Sequence, residues 1–486
     1  MQSSTSAPAH RPLPHVLVVG GGIAGLAAAA RLSGADGSRP TARVTLAEAG
    51  PRLGGKLHAA EVGGVQVDLG AESMLARRPE AVELARAVGL GEALQPPATA
   101  RAAIWTRGAL RPMPTGQLMG VPGDLAALAA SGVLSAEGLA RVAEEPALPP
   151  VEPGQDVSVG GYVAARLGRE VVDRLVEPLL GGVYAGHADR ISMRAAVPQL
   201  LPLAQRGGSL VEGVHALQAG ARANPAPVFT GIDGGIGRLP QAVAEACRAA
   251  GARLLTDTPV TGLRRTPTGW SAVAGGRPLA VDAVVLAVPA PAAASLLADQ
   301  APGAAAELGR VEYASMALVT LVFPRAGLGD LPGSGLLVPP VDGRLIKAST
   351  FSSNKWGWLA RAAPDSVVLR TSVGRQGDER DLDREDAELV AGSLADLRAA
   401  AGITALPSAS TVTRWRGGLP QYPVGHLDRV ERIQRLAAAL PGLALCGALY
   451  QGVGIPACIA GGRRAAELAL ADLVPTALRP EGTMDA

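Results

Sequence analysis

Residues 15–34 read HVLVVGGGIAGLAAAARLSG: a short apolar, β-branched run, a glycine turn, and an Ala/Leu-rich helix. A second strand-like run, ARVTLAEA (42–49), follows. Together they predict a βαβ unit of a parallel sheet with a right-handed crossover. The spacing Gly20-x-Gly22-x-x-Gly25 falls where the strand gives way to the helix. Gly20 permits the tight turn, Gly22 lets a pyrophosphate approach the backbone at the positive helix end, and Gly25 lets helix and strand pack closely. Glu48 ends the second strand, where a carboxylate accepts ribose hydroxyls and opposes a 2′-phosphate. A glycine pattern alone is a weak sign, but strand, turn, helix and acid in this order predict dinucleotide binding.

The rest of the chain asks for a larger assembly. With 486 residues, 48% of them hydrophobic, it predicts two or three domains. A net charge of +2 implies neither a nucleic-acid partner nor an anionic membrane surface. Cys247, Cys446 and Cys458 form no CxxC pair, which fits a reducing cytoplasm. The opening MQSSTSAPAHRPLPH lacks an apolar core after a basic start and reads as a floppy leader, not a signal peptide. Residues 436–462 carry no charge, yet Pro441, Gly442, Gly447, Gly452, Gly454 and Pro456 interrupt a stretch that would need about 20 residues of continuous helix to span a bilayer. That stretch predicts a strand over 443–446, a tight turn, and a helix starting near Pro456.

Between 112 and 204 helical spacing replaces strands. Val163, Leu167, Val171, Leu175 and Leu179 recur every four residues as one face of an amphipathic helix, which Pro178 disrupts and Gly181-Gly182 ends. Residues 212–227 are polar and Gly/Ala-rich and predict a surface loop. Strand-like sequence returns in ARLLTDTPVTGLRR and DAVVLAVP; alternation over 313–373 predicts an antiparallel sheet, and 383–400 a charged helix. Dinucleotide-domain features at both ends and in the middle imply discontinuous domains.

A second glycine pair, Gly54-Gly55 in AGPRLGGK, is flanked by Arg52 and Lys56 and allows another close approach to a long, extended cofactor. No second fingerprint follows; GIDGGIGRL comes nearest and fails the spacing. This favours FAD in an oxidase whose flavin is reoxidised by a small acceptor such as dioxygen, over a reductase that draws on NAD(P)H. The helix near Pro456 would aim its dipole at the negative charge of a reduced flavin, and Gly452 and Gly454 let the backbone reach the ring.

The motifs GGGIAGLAAAARL, EAGPRLGGK, DLGAES, RLVEPLLGGVYAG, WRGGLPQYPVGH and GALYQGVGIPACI resemble those of the protoporphyrinogen and coproporphyrinogen oxidases of haem biosynthesis, in the amine-oxidase-like FAD superfamily. The resemblance spans nearly the whole chain. It implies an α/β fold with a Rossmann-like FAD-binding domain (14–79, 229–298 and 439–475), a mixed-sheet substrate domain (80–111, 205–228 and 299–438), an inserted helical domain that can contact membranes (112–204), and flexible tails (1–13 and 476–486). Carried over by motif, the FAD contacts are Gly20, Gly21, Gly22, Ile23, Ala24, Gly25, Glu48, Ala49, Arg52, Gly55, Lys56, Gly70, Ala71, Glu72, Ser73, Val260, Trp415, Val453, Gly454 and Ile455. For Val260 and Trp415 a plain core role is the ordinary alternative.

The implied reaction removes six electrons from a porphyrinogen in three flavin cycles, with hydride leaving a meso carbon and three dioxygen molecules becoming hydrogen peroxide. No catalytic acid or base is named, and the six histidines form no metal-ligand or triad pattern; His187 and His426 read as structural or solvated. Coproporphyrinogen III carries four propionates and protoporphyrinogen IX two, so guanidinium partners matter. Arg77 and Arg78 are the substrate candidates, with Lys347 and Lys355 behind them; a solvated surface charge is the ordinary expectation for all four. Likeness to the soluble bacterial branch favours coproporphyrinogen, with a cytoplasmic location, at most weak peripheral membrane contact because the Ala-rich helices lack a strong basic face, and handover to another haem-pathway enzyme. Two alternatives share the fold. A flavin amine oxidase would want an aromatic cage, against 3% aromatic residues here. A flavin-free carrier like the GDP-dissociation inhibitors sits badly with the intact fingerprint and Glu48.

Overall fold

The computed structural model describes residues 12–222, 227–471 and 473, so the tails, apart from residues 12 and 13, lie outside the described residues. The strand His15–Val19 is buried along its whole length, as the centre of a parallel sheet requires. It pairs in parallel with Arg43–Ala47 on one side and Ala283–Leu286 on the other; Arg253–Leu255 and Leu443–Leu445 extend the sheet at its two ends. Strands from both ends and the middle of the chain thus form one five-stranded layer. Alternation then divides the core: Val16 and Val18 enter the apolar cluster under the helices Ile23–Ser33, Arg238–Ala249 and Ile455–Ala471, whereas Leu17 and Val19 enter the cluster on the opposite face.

The first helix, Ile23–Ser33, owes its close packing to small residues. A Cβ on Gly25 would lie 2.0 Å from the Gly20 carbonyl oxygen, and one on Gly462 of the C-terminal helix 2.1 Å from that of Ala24. Arg31 meets Glu467 at 2.9 Å further along. Residue numbers rise together along both helices, so they run parallel with their N-termini at the same end. Aligning Ala24 with Gly462 puts the start of the C-terminal helix about six residues ahead of the first, roughly 9 Å at the α-helical rise.

A second sheet has seven strands in the order Ala409–Pro420, Tyr313–Pro324, Ser366–Val373, Ile346–Phe351, Gly335–Leu337, Ala102–Thr106, Ala109–Pro112. It is mixed, because Gly335–Leu337 pairs in parallel with Ala102–Thr106 and the other pairs are antiparallel. One face is a sealed core of Ala317, Val319, Ile346, Leu369 and Val373 under the helix Asp386–Ala401. The other face, Met316, Leu318, Ala348, Ser372 and Leu337, stays half-buried. Three of the pairs on this face lie in register, Leu318 with Ser372, Ser372 with Ala348, and Ala348 with Leu337, which makes a continuous row across four strands.

Three local expectations are corrected. Residues 212–222 do not form a surface loop: Leu210–Arg222 is a helix whose apolar residues Leu210, Val211 and Val214 are buried in the helical cluster. The four-residue spacing over 163–179 is not one helix either. Val159–Leu167 ends at Gly168 (φ +91°), and a new helix begins at Arg169. Pro178 does not break that second helix, because a π-helical turn at Val172–Val176 precedes it and widens the backbone ahead of the missing N–H. Gly181 and Gly182 lie inside the continuation Glu177–Tyr184, which ends only at Ala185 in the left-handed region (φ +49°).

Candidate active site

The glycine turn is bare backbone aimed outward. The first helix is N-capped by Gly22 with no side-chain cap, leaving its first-turn N–H groups for an external acceptor. A Cβ on Gly22 would meet nothing within 4 Å, and one on Gly55 would lie 3.2 Å from the Gly22 Cα. Gly22 and Gly54 bridge the two glycine segments, and Gly54 N–H donates to the Gly21 carbonyl at 2.8 Å. Glu48 braces this turn: Oε2 accepts from Gly21 N–H at 2.6 Å and Oε1 from Gly50 N–H at 2.8 Å. Ala49 lies between these two anchored positions, and Thr258 N–H, two residues before Val260, donates to the Glu48 carbonyl at 2.8 Å. These positions fit a dinucleotide: an open anion-binding helix start, a braced carboxylate, and a second glycine backbone beside them.

DLGAES joins the cradle to the second sheet. A Cβ on Gly70 would lie 1.9 Å from the Lys56 carbonyl oxygen and 3.3 Å from the Trp415 ring. Trp415 Nε1–H donates to the Leu69 carbonyl at 3.0 Å, and its ring lies 5.9 Å from the Arg52 guanidinium and edge-on to His58. Glu72 accepts from Lys355 Nζ at 2.8 Å, Arg370 Nη1 at 2.7 Å and Ser352 Oγ at 3.1 Å. Burial pushes this carboxyl up, but Lys355 and Arg370 outweigh it and hold the group at about 2. Asp68, two residues earlier than Gly70, caps the helix Arg238–Ala249 by accepting from Ile236 and Gly237 N–H at 2.9 and 3.0 Å; burial raises its carboxyl to about 6. Burial lowers the Lys56 ammonium, which sits close enough to Cys458 to interact. Cys458 belongs to the turn that carries Val453, Gly454 and Ile455, and its Sγ approaches the Gly452 and Val453 carbonyls. The C-terminal helix therefore starts beside AGPRLGGK, with Gly454 partly exposed at its mouth.

The named residues thus converge from six segments, save two. Arg77 is exposed, and Arg78 is engaged at 2.6 Å by Glu80 on the first turn of Pro79–Ala87. The solvated reading of Lys347 and Lys355 is overturned. Lys355 is paired with Glu72, and Lys347 is only 3% exposed, because bulged strand geometry turns it inward. His187 bonds Glu177 and the Gln376 carbonyl, and His426 stacks on Tyr422 at 3.9 Å; both are structural, and burial drops His426 to about 4. Sequence reasoning missed Arg370, which donates to the Gly70 carbonyl at 2.6 Å as well as to Glu72. Its only signal was a charge inside the apolar run SVVLRTSV.

Comparison with known proteins agrees with this architecture. Residues 23–470 match the family described as flavin containing amine oxidoreductase. The coproporphyrinogen III oxidase of Mycobacterium leprae is 38% identical over 94% of this chain and 98% of its own length. That of Bacillus subtilis is 33% identical, also over 94% and 98%. The crystal structure of a candidate protoporphyrinogen oxidase from Exiguobacterium sp. 255-15 superposes with a TM-score of 0.83 at 34% identity, covering 93% of this chain and 98% of that one. The chain belongs to the flavin containing amine oxidoreductases and, within them, to the family of the coproporphyrinogen III oxidases.

Proposed function

We propose that this protein oxidises coproporphyrinogen III to coproporphyrin III, a six-electron reaction in which three dioxygen molecules become three hydrogen peroxide. The observation that carries the reading is the junction at Gly70 and Trp415. There a cradle with two parallel helix starts opens beside a half-buried sheet face of Met316, Leu318, Ser372, Ala348 and Leu337. Bound FAD would supply a two-electron acceptor that dioxygen restores. Gly20 to Gly25 would hold its pyrophosphate, and Glu48 its adenosine ribose. The start of Ile455–Ala471 would place a positive dipole end against the negative charge of the reduced ring. The row Met316, Leu318, Ser372, Ala348 and Leu337 would give a macrocycle an uncharged, largely apolar wall.

The finer assignments rest on the same reading. We assign the FAD-binding domain to 14–79, 229–298 and 439–475, the substrate domain to 80–111, 205–228 and 299–438, and the helical domain to 112–204. Cys247, Cys446 and Cys458 are free and buried, which supports a cytoplasmic setting. No helix of the described residues is long and apolar enough to cross a membrane; membrane contact is weak and peripheral, through the helical domain. Handover of the aromatic product to another haem-pathway enzyme completes the proposal.

The test is aerobic oxidation of coproporphyrinogen III and protoporphyrinogen IX, side by side, read as porphyrin fluorescence above the autoxidation blank. Preference for the four-propionate substrate supports the reading. A yellow, flavin-loaded protein inactive on both would overturn it.

A further inference from the structure

Two cations are buried side by side at the edge of the half-buried sheet face. Lys347 is 3% exposed and Arg375 8% exposed. Lys347 Nζ donates to the Gly374 carbonyl at 2.8 Å, and Arg375 Nη2 to the Val338 carbonyl at 3.0 Å. Neither forms an ion pair among the described residues, and Arg375 Nε is buried without any partner. The nearby carboxylates are committed elsewhere: Glu177 binds His187 Nδ1 and Ala188 N–H, and Asp378 faces Arg380. Unpaired charge at such depth is costly unless something supplies the counter-charge.

The surroundings leave room for that counter-charge. The strand register slips between Ile346 and Ala348, a bulge that takes Lys347 out of the alternation and re-aims it. Gly181 lies mid-helix, where glycine is disfavoured relative to alanine. A Cβ there would touch nothing nearer than 3.9 Å, so packing does not demand glycine, and one of those nearest atoms is Arg375 Nε. Gly374 lies just past the end of the strand Ser366–Val373, two residues beyond Ser372, with φ +92°, and Val338 directly follows Leu337. The cations therefore adjoin one end of the row against which the macrocycle would lie.

We propose that Lys347 and Arg375 form a carboxylate-binding subsite that anchors a propionate of the porphyrinogen. A carboxylate between them would accept from the unpartnered Nε–H and from the ammonium, the planar complement that a guanidinium and a lysine offer together. This rests on the porphyrinogen reading above, and it moves the propionate anchor from Arg77 and Arg78 to the sheet edge.

The experiment uses the full-length, FAD-loaded protein and three variants: Lys347→Met, Lys347→Arg and Arg375→Lys. Coproporphyrin III affinity is read by fluorescence quenching, with KM and kcat for coproporphyrinogen III and the thermal midpoint alongside. Lys347→Met should weaken product binding and raise KM by roughly tenfold or more, with kcat little changed and the midpoint unchanged or higher. Lys347→Arg should recover most of the affinity. Arg375→Lys, which keeps charge but removes Nε, should show the same KM effect in a protein that stays folded. Unchanged KM and affinity in active variants would overturn the subsite while leaving the oxidase reading intact, as would a lowered midpoint with normal binding. A wild-type protein that neither binds the product nor oxidises the substrate would overturn both.

Discussion

Glu72 and Arg370 meet at 2.7 Å where the glycine-rich cradle abuts the seven-stranded sheet, and the same guanidinium reaches the Gly70 carbonyl at 2.6 Å. One side chain thus ties together a loop and a strand about 300 residues apart in sequence. Because Arg370 is 7% exposed, removing it leaves a buried carboxylate with Lys355 as its remaining cation. Arg370→Met should cost about 3–5 kcal/mol of stability in urea unfolding. An unchanged unfolding midpoint would show that the pair is not holding the two layers together.

Glu72 also sets an acid response. Its carboxyl sits at about 2 in the fold against an ordinary 4.5, so its contribution is complete above about 4.5 and is lost as pH falls through about 2. The stability difference between the protein and Glu72→Gln should therefore narrow as pH is lowered across that window. Thermal midpoints of both proteins taken from pH 5 downward check this; a constant gap would contradict it.

Gly22 separates cofactor binding from folding. Since a Cβ there meets no protein atom within 4 Å, Gly22→Val should fold with little change in the midpoint of the flavin-free protein. Its side chain would occupy the approach of the pyrophosphate, so flavin absorbance after reconstitution should fall by at least tenfold. Full flavin retention would place the pyrophosphate elsewhere.

Gly462 makes the opposite case. A Cβ 2.1 Å from the Ala24 carbonyl must push the two parallel helices apart, at roughly 1–3 kcal/mol for an overpacked contact. Gly462→Ala should lower the midpoint and the flavin content together, because both helix starts move. Loss of flavin without loss of stability would mean that the glycine serves the cofactor directly.

Burial, aided by the neighbouring Arg375, lowers the Lys347 ammonium to about 7 from its ordinary 10.5, while Glu177 and Asp378 act on Arg375 from a distance. The folded protein then binds fewer protons than the unfolded chain between about 7 and 10.5, and stability rises with pH across that interval. Lys347→Met should thus be more stable than the parent by about 1–4 kcal/mol at pH 7, with the gap closing toward pH 10.5. Denaturant unfolding of both proteins at pH 7, 8.5 and 10 tests the slope, and a gap that widens with pH would refute it.

Much of the cradle was readable along the chain because its chemistry is local. Gly20, Gly22 and Gly25 act within one strand–turn–helix segment, and Glu48 follows the adjacent strand of the same βαβ unit. DLGAES was visible as a motif, although the atoms that crowd Gly70, the Lys56 carbonyl and the Trp415 ring, are distant in sequence. Expectations failed where a local pattern was asked for a tertiary answer. The run from 163 to 179 has one period but two helices, because Gly168 turns the backbone and a π turn absorbs Pro178. Residues 212–222 looked polar, yet they continue a helix whose Leu210, Val211 and Val214 pack on the helical core.

By itself the sequence determined the βαβ cradle, the dinucleotide it accepts and the family to which the chain belongs, since backbone freedom, helix dipoles and strand ends are properties of short segments. Only the tertiary structure decided which charges are buried. Lys347 reads in one dimension as a solvated surface charge, and the sequence alone does not set the depth of Arg370 or Arg375. Their depth depends on a one-residue strand bulge, on which sheet face the helix 177–184 covers, and on partners hundreds of positions away. A charge costs little in water and a great deal in the interior, so their placement, invisible in sequence, bears directly on stability.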